Sequence, residues 1–143
     1  MSIDENKATV LRYYEDVLNQ GNLAILHDIA IPNYDEHDPL PGQMNGIEGL
    51  EQRVRMLRHA LRPHFTLQDI IAEDDKVVVR WINQGTQVEP FLGLPPTGKS
   101  FSISGIDIHR LRDGKMAEHW HVVDQLAMLQ QLGIFPQPAT TDA

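Results

Sequence analysis

Five side chains near the end of the chain are of types that do chemistry: Asp107, His109, His119, His121 and Asp124, in the run GIDIHRLRDGKMAEHWHVVD. Carboxylates and imidazoles are the groups that move protons near neutral pH, so the chemistry on offer is acid–base. Asp113-Gly114 predicts a two-residue hairpin turn, because both turn positions need positive φ and Asp-Gly tolerates it. With that turn, Arg112 faces Lys115, His109 faces Glu118 and Asp107 faces Trp120. Alternation then gathers Phe101, Ile103, Asp107, His109, Leu111, Met116, Glu118, Trp120, Val122 and Asp124 on one face. Large apolar groups mixed with acids and a histidine suit a pocket. Asp124 has Trp120, Val122 and Ile103 as expected neighbours, and apolar surroundings raise the basicity of a carboxylate. It also immediately precedes QLAMLQQLG, where aspartate is a preferred N-cap, and the two roles are compatible. His109 can equally pair across the strands with Glu118.

His119 and His121 are expected on the opposite, outer face with Ile106, Ile108 and Val123, a face suited to a subunit contact. An HxH pair is a fragment of a metal site, but no third ligand is evident, so no metal is expected. Glycine-rich phosphate loops, a serine nucleophile elbow and HExxH are all missing from the sequence, and with no cysteine there is no thiolate chemistry and no disulfide.

The 143 residues, 41% hydrophobic and 22% charged, fit one soluble domain. A net charge of −8 argues against a nucleic-acid surface. No apolar run approaches the roughly 20 residues of a membrane span, and MSIDENK does not read as a secretory signal, so a cytoplasmic protein is expected. A single domain over 1–136 and a flexible tail or exchanged arm over 137–143 are expected.

The elements that must position these groups follow in order. Val10, Leu11, Tyr14, Val17 and Leu18 predict a helix over about 4–19, ended at Gln20-Gly21, with Tyr13 and Tyr14 as core or pocket aromatics. A short helix from Asn22 and an extended segment Asn33–Pro39 follow. In that segment Asn33, Asp35 and His37 point one way, and Tyr34, Glu36 and Asp38 the other. A helix over 47–61 buries Leu50, Val54, Leu57 and Leu61 and leaves Arg53, Arg55, Arg58 and Arg62 as a solvated face. Two strands, 65–73 and 76–88, turn at Asp74-Asp75 and carry Trp81. PFLGLPPTG is a loop whose Phe91, Leu92 and Leu94 suit a pocket mouth or a subunit contact equally. Helices followed by an antiparallel meander make an α+β domain.

LNQGN, YDEHDP, LPPTGKSFSISGIDIHR and DGKMAEHWHVVDQLAMLQQLG together make the chain resemble the SnoaL-like polyketide cyclases, over nearly its whole length. The resemblance implies a cone-shaped α+β barrel of the nuclear-transport-factor-2 and ketosteroid-isomerase type, with a curved sheet around a deep pocket. It implies a cofactor-free intramolecular aldol condensation on an aromatic polyketide ester. Asp124 matches the family's acid/base and His109 its pocket histidine. Asp107 stands where well-known cyclases have glutamine. His37 and Asn33 match a pocket-lining segment, and Tyr14, Trp81 and Trp120 complete the expected substrate contacts. Asp124 would take a proton from activated carbon, while His109 and His37 steady the enolate. Hydration, dehydration or epoxide hydrolysis in the same pocket, and a non-catalytic binding module, are the competing readings. The partners expected are a small aromatic or hydrophobic carbonyl compound and a second copy of the chain, as a homodimer or higher homo-oligomer.

Overall fold

The structure, a computed structural model, describes residues 2–134; the tail expected over 137–143 lies outside them. Ser2 caps the first helix, its hydroxyl accepting from Glu5 N at 3.1 Å. This helix, α1 (Ile3–Arg12), runs on as a π-helical turn, Tyr13–Leu18, closed by the Asn19 N to Tyr14 O bond at 2.9 Å. The wider turn carries consecutive tyrosines, Tyr13 and Tyr14, into the interior together. A 3-10 turn (Leu23–Ile25) and α2 (Leu26–Ile29) lead into strand β1 (Ala30–Glu36), which starts earlier than expected. Pro32 is tolerated there because β1 is an edge strand. Helix α3 (Gly46–Leu61), strands β2 (His64–Glu73), β3 (Lys76–Thr86), β4 (Ser100–Arg112) and β5 (Lys115–Val123), and helix α4 (Gln125–Gln131) follow.

The sheet order is β1-β5-β4-β3-β2, with β1 parallel to β5 and every other pair antiparallel. Edges β1 and β2 do not pair, so the cone is a curved α+β sheet left open rather than a closed barrel. The core lies between this sheet and the helices, with Val10, Tyr14, Val17, Leu50, Val54, Val77 and Val79 fully buried. Among the described residues no helix is long and apolar enough to cross a membrane.

The Asp113-Gly114 turn forms as expected, with φ of 51° and 78°, and Arg112 pairs with Lys115 and Leu111 with Met116. One step further the expected register fails. Arg110 pairs with Glu118, His109 with His119, Ile108 with Trp120 and Asp107 with His121. The register shifts between Arg110 and Leu111, and Met116 and Ala117 are both buried, so Ala117 is the extra residue of a bulge. A one-residue slip exchanges the faces of everything beyond it. His119, His121 and Val123 therefore turn inward, while Glu118, Trp120 and Val122 turn out; Val122 is 76% exposed.

Gly105 makes room for the site. A Cβ there would lie 2.3 Å from Cζ2 of Trp81, its cross-strand partner. Gly105→Ala is expected to displace Trp81 and cost about 1–3 kcal/mol, as overpacking does. Urea denaturation followed by tryptophan emission would register both effects.

Candidate active site

Inside the cone, β4 and β5 present a ladder of ionisable groups. Asp107 is buried; its Oδ2 accepts from the Tyr14 hydroxyl and from Trp81 Nε1 (2.9 Å), and its Oδ1 lies 3.1 Å from His119 Nε2. That last contact is an ion pair at close range without the alignment of a hydrogen bond. The other nitrogen of His119, Nδ1, donates to Glu36 Oε1 at 2.7 Å. His119 thus sits between two carboxylates. Burial opposes its charge, yet Asp107 and Glu36 together push its pKa up to about 9. Burial would also raise Asp107, but the imidazolium beside it holds it well below the usual carboxylate range. Glu36 is lowered for the same reason, against its partial burial.

His109 is fully buried and stacks on His119 with ring centroids 4.8 Å apart. Its Nε2 lies 2.7 Å from the Tyr14 oxygen. Because the Tyr14 proton goes to Asp107, His109 must donate through Nε2, which leaves Nδ1 bare and without a partner. Burial pushes its pKa down to about 3, so it is neutral. His121, two residues beyond His119, is also lowered, by burial and by the charges of Arg53 and His119. Its Nδ1 makes no hydrogen bond and lies 4.0 Å from Glu36 Oε2.

Asp107, His119 and His121 line a cavity that opens to solvent at its mouth. Its apolar walls include Tyr13, Phe65, Trp81, Phe91, Ile103 and Met128; its polar wall is Arg53, Asn83, Asp107, His119, His121 and Gln125. An outer recess beside Pro39 and Leu92 shares Leu40, His121, Val123 and Gln125 with it. His121 stands where the two meet. Phe91 of the proline-rich loop thus lines the cavity and Leu92 the recess outside it.

Of the residues expected from sequence, Asp107, His109, Tyr14 and Trp81 come together in one hydrogen-bond network. Trp81 and Asp107 line the cavity, and Tyr14 and His109 stand behind them. The others are placed elsewhere. Asp124 is exposed, capping α4 by accepting from Ala127 N at 3.0 Å. Its expected apolar neighbours Trp120 and Val122 went to the outer face with the bulge, so its carboxylate stays in water. Trp120 stacks on His37 at 4.5 Å on the same outer side. His37 lines only the outer recess, and its Nε2 lies 3.5 Å from both Asp35 and Glu118. Asn33 borders a separate surface recess beside Gln43 and Met44. The expected alternation along β1 is present, but Tyr34 and Glu36 are the residues it turns inward.

Glu36, Arg53, Asn83, His119 and His121 are site residues that sequence reasoning missed. Arg53, expected on a solvated face, is 8% exposed. Glu36 is the third ligand that the HxH pair lacked, since Glu36, His119 and His121 each bring a ligand atom within 4.8 Å of the others, as do Asp107, His109 and His119. The charges of Glu36 and Asp107 are balanced by the His119 imidazolium between them and by the Arg53 guanidinium, 4.0 Å from Glu36.

An open α+β cone with acid–base groups around a largely apolar cavity is an architecture of the nuclear-transport-factor-2 type. The profile of the SnoaL-like polyketide cyclases matches residues 8–132, and the chain belongs to that family. It is 32% identical over 111 residues to the aklanonic acid methyl ester cyclase DauD of Streptomyces sp. (strain C5), covering 76% of this chain and 67% of that one. With DnrD of Streptomyces peucetius, also an aklanonic acid methyl ester cyclase, it shares 32% over 100 residues, 68% of this chain and 67% of that one. The structure of TsrD from Streptomyces laurentii superposes with a TM-score of 0.86 at 32% identity, over 94% of this chain and 99% of that one.

Proposed function

We propose that this protein is a cofactor-independent cyclase that closes a ring in an aromatic polyketide ester or similar carbonyl compound by intramolecular aldol condensation. The observation that carries this reading is the opposite tuning of two histidines on one strand. His121 is kept neutral and His119 kept charged, side by side at the cavity wall. Neighbouring groups whose pKa values are pushed apart are a base and an acid. An exposed, capping Asp124 is what a binding module would show, but the buried carboxylate beside the cavity is Asp107.

His121 removes a proton from a carbon flanked by carbonyls, and the electron pair moves onto the carbonyl oxygen as an enolate. The His119 imidazolium, beside that position, stabilises the developing charge. The enolate carbon attacks a ketone of the same molecule, one carbon–carbon bond forms, and the resulting alkoxide takes its proton back from His121. Glu36 steadies the His121 imidazolium while it exists. Asp107, with Tyr14 and Trp81 both donating to its Oδ2, keeps His119 charged through Oδ1; His109 acts through Tyr14 as a positioning residue. The reading includes a homodimer, with the outer sheet face bearing exposed Ile106 and Val122 as the contact.

The test is turnover of a panel of aromatic β-keto esters, with the cyclised product identified by mass and absorbance. Cyclisation supports the proposal; tight binding without turnover would make the protein a binding module. Asp124→Asn is expected to leave turnover unchanged and stability within about 0.5 kcal/mol, since asparagine caps a helix as well as aspartate. A large loss of turnover in this folded variant would return Asp124 to the mechanism.

A further inference from the structure

Arg53 is the charged group that the mechanism above does not use. It sits on α3 with its side chain 10% exposed, in the cavity wall. Its Nη1 is buried and makes no hydrogen bond. The acid beside it, Glu36, is 4.0 Å away and already accepts from His119 at 2.7 Å. Arg58, one turn along the same helix, shows the ordinary solution: its Nη1 donates to the carbonyls of Leu18 (2.7 Å) and Asn19 (2.9 Å). Buried polar groups are nearly always paired, and a guanidinium taken from water without acceptors is costly. A second group on the same cavity is also unsatisfied: Asn83 Oδ1 is buried without a donor.

We propose that Arg53 and Asn83 form a recognition site for an anionic aromatic substrate, one whose ionised carboxylate pairs with Arg53 and whose hydroxyl donates to Asn83. The planar fork of arginine matches a carboxylate better than it matches a neutral ester, and the ion pair adds charge to the hydrogen bonds. Asp107 and His119 line the same space and pair with each other, and His119 also holds Glu36, so Arg53, only 4.0 Å from Glu36 and without a hydrogen bond at Nη1, keeps donors open to a ligand. Tyr13, Phe65, Trp81 and Phe91 supply flat apolar walls for the rings. The inference takes the cavity as the substrate site, as the proposed function does, and names the class of compound it selects.

The experiment separates the two readings by using ligands that cannot react. 1-Hydroxy-2-naphthoate and its methyl ester are titrated by calorimetry at pH 7 into wild type, Arg53→Lys and Arg53→Met, each checked for fold by circular dichroism. Wild type is expected to bind the acid at least about tenfold more tightly than the ester. Arg53→Met should lose that preference while still binding the ester, and Arg53→Lys should keep part of it. Should Arg53→Met fail to fold, the partial preference of Arg53→Lys carries the test. Equal or tighter binding of the ester by wild type, an unchanged preference in the variants, or binding of neither probe overturns the inference, whatever His121 does in turnover.

Discussion

Replacing His121 by glutamine is expected to lower turnover of an aromatic β-keto ester by roughly 100- to 10,000-fold, the usual loss when a positioned general base is removed. Its Nδ1 makes no hydrogen bond and the ring borders the outer recess, so the fold should not depend on it. The loss should therefore fall on kcat with little change in melting temperature. The pH profile of the wild type makes the same point independently. His121 must be unprotonated, and its pKa lies below the usual 6.5, so activity should rise through an acid limb below that value. His119 must stay protonated, so activity should fall through an alkaline limb near pH 9. In His121→Gln the acid limb should vanish while the alkaline limb remains in the residual rate. If glutamine at this place leaves turnover intact, His121 is not the base.

The sequence carried the fold almost entirely, and the site only in part, for a definable reason. Element boundaries follow from periodicity, caps and turns, and those signals are local: Gln20-Gly21, Asp74-Asp75 and Asp113-Gly114 act within a few residues of themselves. The site depends on which face of β5 points inward, and that rests on one extra residue. Met116-Ala117, two apolar residues in succession where alternation wants one, is the only trace of the bulge in the sequence. Missing it moved His119 and His121 to the outside and brought Trp120 and Asp124 in. Asp107 and His109 survived the error because β4 pairs with β3 without a break from Lys76 to Thr86. The inward turn of Arg53 is hidden for another reason. On a helix carrying Arg53, Arg55, Arg58 and Arg62, composition cannot tell which arginine faces inward, and Glu36, which draws the right one, is distant in sequence. The resemblance supplied the family, but its match of Asp124 rested on a position in the sequence, and position alone does not bury a carboxylate.

Asp107→Asn is expected to be the most disruptive single change in the site. Asparagine offers one acceptor oxygen where aspartate gave two, and those two serve Tyr14 and Trp81 on one side and His119 on the other. If the amide oxygen keeps Tyr14 and Trp81, the amide nitrogen faces His119 Nε2, donor against donor, and His119 must give up its proton there. Removing one partner of a buried ion pair costs about 3 kcal/mol, at the low end of the usual range because Glu36 remains. Urea denaturation at pH 7 measures that loss. The pH dependence of stability should change with it, and the signs are fixed. Asp107, lowered on folding, stabilises the wild type above its unfolded pKa near 3.8 and ceases to do so as the pH falls. His119, raised on folding, stabilises fully below 6.5, and that contribution is lost as the pH rises through about 9. The variant should lack the first dependence and show the second weakened. In turnover its alkaline limb should move down from pH 9, because Glu36 alone holds the proton on His119 less firmly. An alkaline limb that stays near 9 in Asp107→Asn would mean that Glu36 suffices, and Asp107 would then be a packing partner of Tyr14 and Trp81 rather than the group that charges His119.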